Sequence, residues 1–302
     1  MLAIDLMGGD LSPEERVAAV ADFLLVNIDV HVFLIGDKDL LILTKQLIPQ
    51  VTHKQIQWLE ATQYVEMDES PLHALRHKKD SSMRMALDLV KSGEAKACLS
   101  AGNTGALMLM SHHVLRTIEG IDRPALLSKM PTLDPDHQLL MLDLGANPNA
   151  TAEHLYQYAQ LGSMMVMKDE VKIALLNIGH ERIKGNALVQ KADKLLSNLK
   201  GYKGFIEPDQ LLFSKMDVIV CDGFTGNIVL KSMEGVARAF YSEIHNICTT
   251  SFLYRVIGIL LKPILRSTKS KFDPKRHNGA LLLGLNGLVI KSHGAADQQA
   301  FY

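Results

Sequence analysis

Four short junctions carry residue types suited to holding a negatively charged ligand. They are Asp5-Leu-Met-Gly-Gly-Asp10, Ser100-Ala-Gly-Asn-Thr-Gly105, Asp143-Leu-Gly-Ala-Asn147 and Asp222-Gly-Phe-Thr-Gly-Asn227. Each lies just after an apolar run. Glycine at such a place lets backbone N–H groups approach an anion, and a following helix presents its positive end. One such turn is ordinary loop chemistry. Four, all bearing Asn, Asp, Ser or Thr, point to a polar or phosphate-bearing ligand. Three further stretches add hydroxyls and cations: Ser81-Ser82-Met83-Arg84 opening a helix, Lys184-Gly185 beyond Asn177-Ile178-Gly179, and Lys291-Ser292-His293-Gly294. A guanidinium at a helix start is a good phosphate grip.

Other chemistries fit less well. No Gly-x-Gly-x-x-Gly follows a strand and no Gly-x4-Gly-Lys-Ser/Thr occurs, so the usual dinucleotide and nucleoside-triphosphate cradles are missing. His73 and His77 are four apart but lack the glutamate of a zinc-protease helix, and His112-His113 point to different sides of any helix. Cys98 and Cys221 have no adjacent cation to activate a thiolate, and no serine sits in a Gly-x-Ser-x-Gly elbow. Neither a metal nor a cofactor is expected.

The elements that must position these residues follow from the pattern. Strands are expected at Leu2–Leu6, Val30–Ile35, Gln55–Glu60, Ala97–Ser100, Leu139–Leu144, Lys172–Ile178, Asp217–Cys221 and Leu288–Lys291. Several are apolar throughout, as in strands covered on both faces. Helices are expected at Pro13–Val26, Ser82–Lys91, Thr104–Thr117, Ala152–Met167, Leu188–Leu199 and Asn227–Ile247. This alternation favours a layered, mostly parallel sheet with helices on both sides. Open sheets of that kind place ligands at the carboxyl ends of their strands, where the four junctions fall.

The chain has 302 residues, with 32 Lys+Arg against 33 Asp+Glu and a net charge of −1. That balance argues against an extended nucleic-acid surface. Three scattered cysteines suit neither a disulfide framework nor a thiolate cage, and a reduced, cytoplasmic compartment is the default. Met1 leads into Leu2-Ala3-Ile4-Asp5 without a basic region, so no signal peptide is expected. One segment differs. Residues 250–276 hold seven cations against Asp273 alone, interleaved with apolar residues such as Ile257, Ile259, Leu260 and Leu261. A basic, apolar helix over about 245–276 can rest on an anionic bilayer surface or pack in a dimer interface.

At these same residues the sequence resembles the bacterial phosphate acyltransferases. The resemblance runs through the four junctions and through Lys79-Asp-Ser-Ser-Met-Arg84, Gly120-Ile-Asp-Arg-Pro-Ala125, Leu175-Leu-Asn-Ile-Gly179, Lys184-Gly185, Leu230-Lys-Ser-Met-Glu-Gly235, Leu282-Leu-Gly-Leu-Asn-Gly287 and Ile290-Lys-Ser-His-Gly294. It implies a three-layer α/β/α sandwich of the isopropylmalate dehydrogenase and phosphotransacetylase type, as one catalytic domain over residues 1–302. It also implies transfer of a fatty acyl group from acyl-[acyl-carrier-protein] to inorganic phosphate, giving acyl-phosphate for phospholipid synthesis. A homodimer, a membrane surface and a membrane glycerol-3-phosphate acyltransferase would be its partners. On this basis Lys184, Asn227 and His293 are the expected catalytic residues. Asp5, Gly8, Gly9, Arg84, Ser100, Asn103, Thr104 and Asn147 are expected to bind substrate or phosphate. Alternatives are a phosphotransacetylase using an acyl-coenzyme A donor, or a non-catalytic membrane-associated scaffold. The chain departs from the family's pattern at His180-Glu181-Arg182, where acidic residues are usual, and it stops at Tyr302, where the family continues with a further helical tail.

Overall fold

A computed structural model describes residues 1–10, 12–251, 254–256, 258–262, 265, 279–294 and 296–301. Its strands are β1 (Leu2–Asp5), β2 (Val32–Gly36), β3 (Ile56–Glu60), β4 (Ala97–Ser100), β5 (Ala125–Met130), β6 (Leu139–Leu142), β7 (Ile173–Leu176), β8 (Tyr202–Ile206), β9 (Val218–Val220), β10 (Ala280–Leu283) and β11 (Leu288–Lys291). The helices are α1 (Pro13–Val26), α2 (Lys38–Leu47), α3 (Pro71–His77), α4 (Ser82–Ser92), α5 (Thr104–Leu115), α6 (Ala152–Met164), α7 (Ala187–Leu196), α8 (Gly223–Thr249) and α9 (Gln298–Phe301). The sequence reading treats 1–302 as one domain, whereas contacts divide the chain into two compact units, Met1–Ser128 with Asn278–Tyr302, and Lys129–His277.

In the first unit the strand order is β3-β2-β1-β4-β11-β10-β5. Strands β3, β2, β1, β4 and β11 are parallel to one another, and β10 runs antiparallel to both β11 and β5. All five residues of β2 are buried, which explains its unbroken apolar run. Leu6, Val17, Val20, Leu24, Leu34 and Leu40 pack together on one side of this sheet. Register sets the chemistry: Asp5 pairs with Ser100 across β1 and β4, and Ser100 pairs with Lys291 across β4 and β11. Three polar residues thus stand at one level at the strand ends.

In the second unit the order is β6-β9-β7-β8, all parallel. Helix α6 packs on β6 and β9 and is capped by Thr151, whose hydroxyl accepts from the His154 amide while His154 accepts from the Thr151 amide. Asp222 caps α8, its carboxylate accepting from the Thr225 amide at 2.9 Å and from the Thr225 hydroxyl at 2.6 Å. This cap starts α8 at Gly223, one turn before the expected Asn227.

The mostly parallel sheet with flanking helices matches the expected class. Strands β5, β8 and β10 and helices α2, α3 and α9 are not among the expected elements. Strand β10 is a four-residue ALLL run, too short for its period to be read. Helix α5 stops at Leu115 rather than Thr117 because Arg116 takes φ +60° and leaves the helical region. Of the basic apolar stretch, residues 254–256 and 258–262 are helical, while Phe252, Leu253, Ile257, Pro263, Ile264 and 266–278 lie outside the described residues.

Candidate active site

The strand ends of the first unit are organised by Asp5, which is 1% exposed. Its carboxylate accepts from the Ser82 hydroxyl at 2.6 Å, the Ser100 hydroxyl at 2.7 Å and the amides of Met7 and Gly8 at 3.1 and 3.3 Å. Four donors on one buried carboxylate hold three chain segments together and satisfy the charge. The Ser100 hydroxyl in turn accepts from the Gly102 amide at 3.1 Å. Gly8 and Gly102 then lie backbone against backbone: a Cβ on Gly8 would stand 2.6 Å from both N and Cα of Gly102. Gly9, at φ +120°, leaves room for the Arg16 guanidinium, which a Cβ would meet at 2.7 Å. The glycines of the first two junctions therefore serve close backbone approach.

Two cations sit beneath this turn. Arg16 is 1% exposed and donates from Nε to the Leu6 carbonyl at 3.0 Å. Burial draws its pKa down, and the Asp5 charge opposes that. Lys291 is 8% exposed and donates from Nζ to the carbonyls of Ala101, at 3.2 Å, and Ser292. Burial lowers its pKa to about 8, against the opposing charges of Asp10 and Asp5. Asp10 is held by its amide, which donates to the Gly294 carbonyl at 2.8 Å.

The second unit repeats the device. Asp143, fully buried, accepts from the Ala146 amide at 3.1 Å, the Asn147 amide at 2.6 Å and the Asn147 side-chain amide at 3.0 Å. The Asn147 carbonyl receives the Gly223 amide at 3.0 Å, and Gly226 lies so close to the Asp143 carbonyl that a Cβ would strike it. Asn227 lies one turn into α8, and a Cβ on Gly145 would lie 3.7 to 3.9 Å from its side-chain atoms. Cys221 is buried beside Asp143 and Asp222; burial first, then those carboxylates, push its thiol up. Cys98 is likewise raised by burial. Both are poor nucleophiles.

The expected site residues thus fall into distinct roles. Asp5, Gly8, Gly9 and Ser100 form one cluster, and Asn147 shapes the corresponding turn of the second unit. Asn103 caps α5, its Oδ1 accepting from the Ala106 amide at 3.0 Å, while Nδ2 donates to the carbonyls of Met67 and Glu69 at 2.9 Å each. Thr104 opens the same helix, half-buried. Lys184 is about half exposed and pairs at 3.0 Å with Glu181, the acidic residue of the His180-Glu181-Arg182 segment. His293 is exposed, next to the buried Ser292. Arg84 is not hydrogen-bonded to the Asp5 cluster; its Nε donates to Asp88 at 3.0 Å. Ser82, Asp143 and Lys291 stand in stretches read above as suited to an anion but carry no assigned role there, and Arg16 stands in none of them. Arg16 had a signal, a cation on the apolar face that carries Val17, Val20 and Leu24.

Comparison with known proteins agrees with this geometry. The family described as "Fatty acid synthesis protein" matches residues 1–302. A phosphate acyltransferase from Nitrosococcus oceani is 47% identical over 99% of this chain and 89% of its own length. One from Pseudomonas putida is 46% identical over 100% of this chain and 90% of its own. Among solved structures, a phosphotransacetylase from Streptococcus pyogenes superposes with a TM-score of 0.60 at 18% identity, covering 100% of this chain and 91% of that one. A branched-chain phosphotransacylase from Enterococcus faecalis gives 0.58 at 13%, covering 100% and 95%. At such identities these two speak for the fold alone. With buried carboxylates shaping glycine turns at the strand ends and relatives this similar along its whole length, the chain belongs to the phosphate acyltransferase family and is an acyltransferase.

Proposed function

We propose that this enzyme transfers a fatty acyl group from acyl-[acyl-carrier-protein] to inorganic phosphate, and that the acyl-phosphate feeds phospholipid synthesis. The observation that carries the reading is the contact of Gly8 with Gly102. It brings two backbone segments together with no side chain between them, over a buried Asp5 that takes up the neighbouring hydroxyls. Phosphate is already nucleophilic, so the protein's task is to hold it, orient it and stabilise negative charge.

In the proposed reaction a phosphate oxygen attacks the thioester carbonyl. The carbonyl oxygen takes the negative charge of a tetrahedral intermediate, and collapse breaks the C–S bond to give acyl-phosphate and the carrier thiolate. The Met7, Gly8 and Gly102 amides are bonded within the cluster, so the remaining main-chain N–H groups of these turns, beside Asn103 and Thr104, hold phosphate. Asp5 and Ser100 act by fixing those turns, since their polar atoms are already engaged with each other. The family resemblance gives Lys184, after exchanging Glu181 for substrate, the role of offsetting developing charge, and Asn227 that of donating to the oxyanion. Asn147 keeps the adjoining turn in shape. His293 supplies a proton to the thiolate, a modest aid given the acidity of thiols.

Among the described residues no helix is long and apolar enough to cross a membrane. We place the enzyme in the cytoplasm as a homodimer that rests on the membrane through the basic, apolar stretch after α8, where a membrane glycerol-3-phosphate acyltransferase takes its product. Incubation with palmitoyl-[acyl-carrier-protein] and labelled phosphate, followed by hydroxylamine trapping, tests the reaction. Label-dependent hydroxamate formation is expected. Equal or faster turnover of acetyl-coenzyme A would instead make the protein a phosphotransacetylase, and absence of thiol release would make it a scaffold.

A further inference from the structure

Away from the strand ends, the first unit holds a cavity of 320 Å³ lined by Arg84, Lys91, His113, Val114, Leu115, Arg116 and Asn286. Three of these are cationic side chains, His113 adds an imidazole, and two are buried apolar residues. Arg84 and Lys91 are two turns apart on α4 and so share a face, and α4 packs against α5, whose last turn carries His113. The carboxylate of Asp88 engages Arg84 Nε, at 3.0 Å, and is the acidic partner bonded to this wall. Burial first, then the charges of Arg116, Arg123 and His113, depress the pKa of the adjacent His112, as a positive local potential requires.

A second, independent observation concerns the backbone. Arg116 has φ +60° and ψ 162°, a region that L-residues other than glycine rarely enter, and it is the positive-φ non-glycine residue of the described chain. The surroundings impose this conformation. The Arg116 amide donates to the His112 carbonyl at 3.1 Å, the Asn286 amide donates to the Arg116 carbonyl at 3.0 Å, and the Asn286 side chain donates to the Thr117 carbonyl at 2.9 Å. Glycine would fit there without strain, yet the position carries a guanidinium that lines the cavity. Strain retained under a charged side chain marks a residue held for what it touches.

We propose that this cavity is a second anion site, distinct from the strand-end cluster, which binds the phosphate group of a small phosphate ester through Arg84, Lys91, His113 and Arg116, with the organic remainder against Val114 and Leu115. The volume suits a phosphate with a small substituent rather than a protein segment. Guanidinium groups give the paired N–H donors that phosphate oxygens accept. The site takes Arg84, expected from sequence to grip phosphate, into a phosphate role at a different place.

Phenyl phosphate and inorganic phosphate are titrated calorimetrically into the wild-type protein, Arg116→Gly and Lys91→Met. Both variants should bind phenyl phosphate at least about tenfold more weakly, the effect of losing a charge-assisted contact. Arg116→Gly should melt no lower than wild type, because glycine accepts the backbone angles. Tighter binding of phenyl phosphate than of inorganic phosphate identifies an ester as the natural ligand; equal binding identifies free phosphate. Lys91→Met changes an exposed residue and serves if Arg116→Gly does not fold. Unchanged phenyl phosphate affinity in the folded variants, or no binding to the wild-type protein, overturns the proposal.

Discussion

Asp5 accepts four hydrogen bonds from three segments of chain, and Ser82 is one of its two hydroxyl donors. Ser82→Ala removes a donor without adding volume and leaves the buried Asp5 Oδ1 with the Met7 and Gly8 amides, its shortest hydrogen bond gone. A loss of about 1–3 kcal/mol is expected, measured by urea unfolding. Lys184 works by charge rather than by packing: it is about half exposed and exchanges Glu181 for substrate in the proposed reaction. Lys184→Ala should therefore leave stability nearly unchanged while lowering acyl-phosphate turnover by about 10²–10³, the scale of an oxyanion donor. Unaltered turnover in the folded variant would remove Lys184 from the mechanism. At this scale residue types were legible in sequence, but their duties were not. Ser100 and Asn103 carry groups that suit phosphate, yet the fold spends those groups on Asp5, on Gly102 and on the carbonyls of Met67 and Glu69.

At the level of elements, β11 brings Lys291 to the same level as Ser100 and buries it. Its pKa falls from an ordinary 10.5 to about 8. A lysine depressed in the folded state binds fewer protons there than in the unfolded chain between those two values. The unfolded chain holds the excess proton, so stability rises as pH increases from about 8 to 10.5 and is flat below 8 on account of this group. The span corresponds to roughly 3 kcal/mol. Lys291→Met should abolish that part of the rise in denaturant midpoints measured from pH 7 to 10.5. An identical pH profile in the variant would show that the lysine is solvated in the folded state. The strand itself was legible, as Leu288–Lys291. Its neighbour β10 was not read as a strand: the Gly284-Leu-Asn-Gly287 turn that joins it to β11 is a hairpin signal, but a run of four leucine-rich residues has no period that separates it from a buried helical turn.

For the molecule as a whole, α8 and the helical residues after it expose apolar side chains to an unusual degree. Val236, Phe240, Ile259 and Leu260 are 70%, 64%, 69% and 73% exposed. Exposure on this scale calls for a covering surface, and the surrounding Arg255 and Lys262 favour an anionic one. Ile259→Glu with Leu260→Glu should weaken sedimentation with phosphatidylglycerol liposomes by roughly a hundredfold, the loss of two buried aliphatic side chains. Activity on soluble acyl carrier substrate should persist. Equal sedimentation of the wild type and the double variant would assign this face to a second copy of the chain instead.

Composition, the apolar runs and the glycine junctions were enough to determine an α/β chain and to point to its strand ends, because burial on both faces of a parallel sheet and close backbone approach each leave a local mark on residue type. The resemblance of those junctions to a known family carried the reaction class. Tertiary structure decided the rest: which carboxylate gathers which hydroxyls, that Arg16 and Lys291 lie buried beneath a turn, and that Arg84 bonds Asp88 and lines a cavity. Those outcomes depend on register between strands distant in sequence and on which side chains share a volume, and neither quantity has a local signature in the chain.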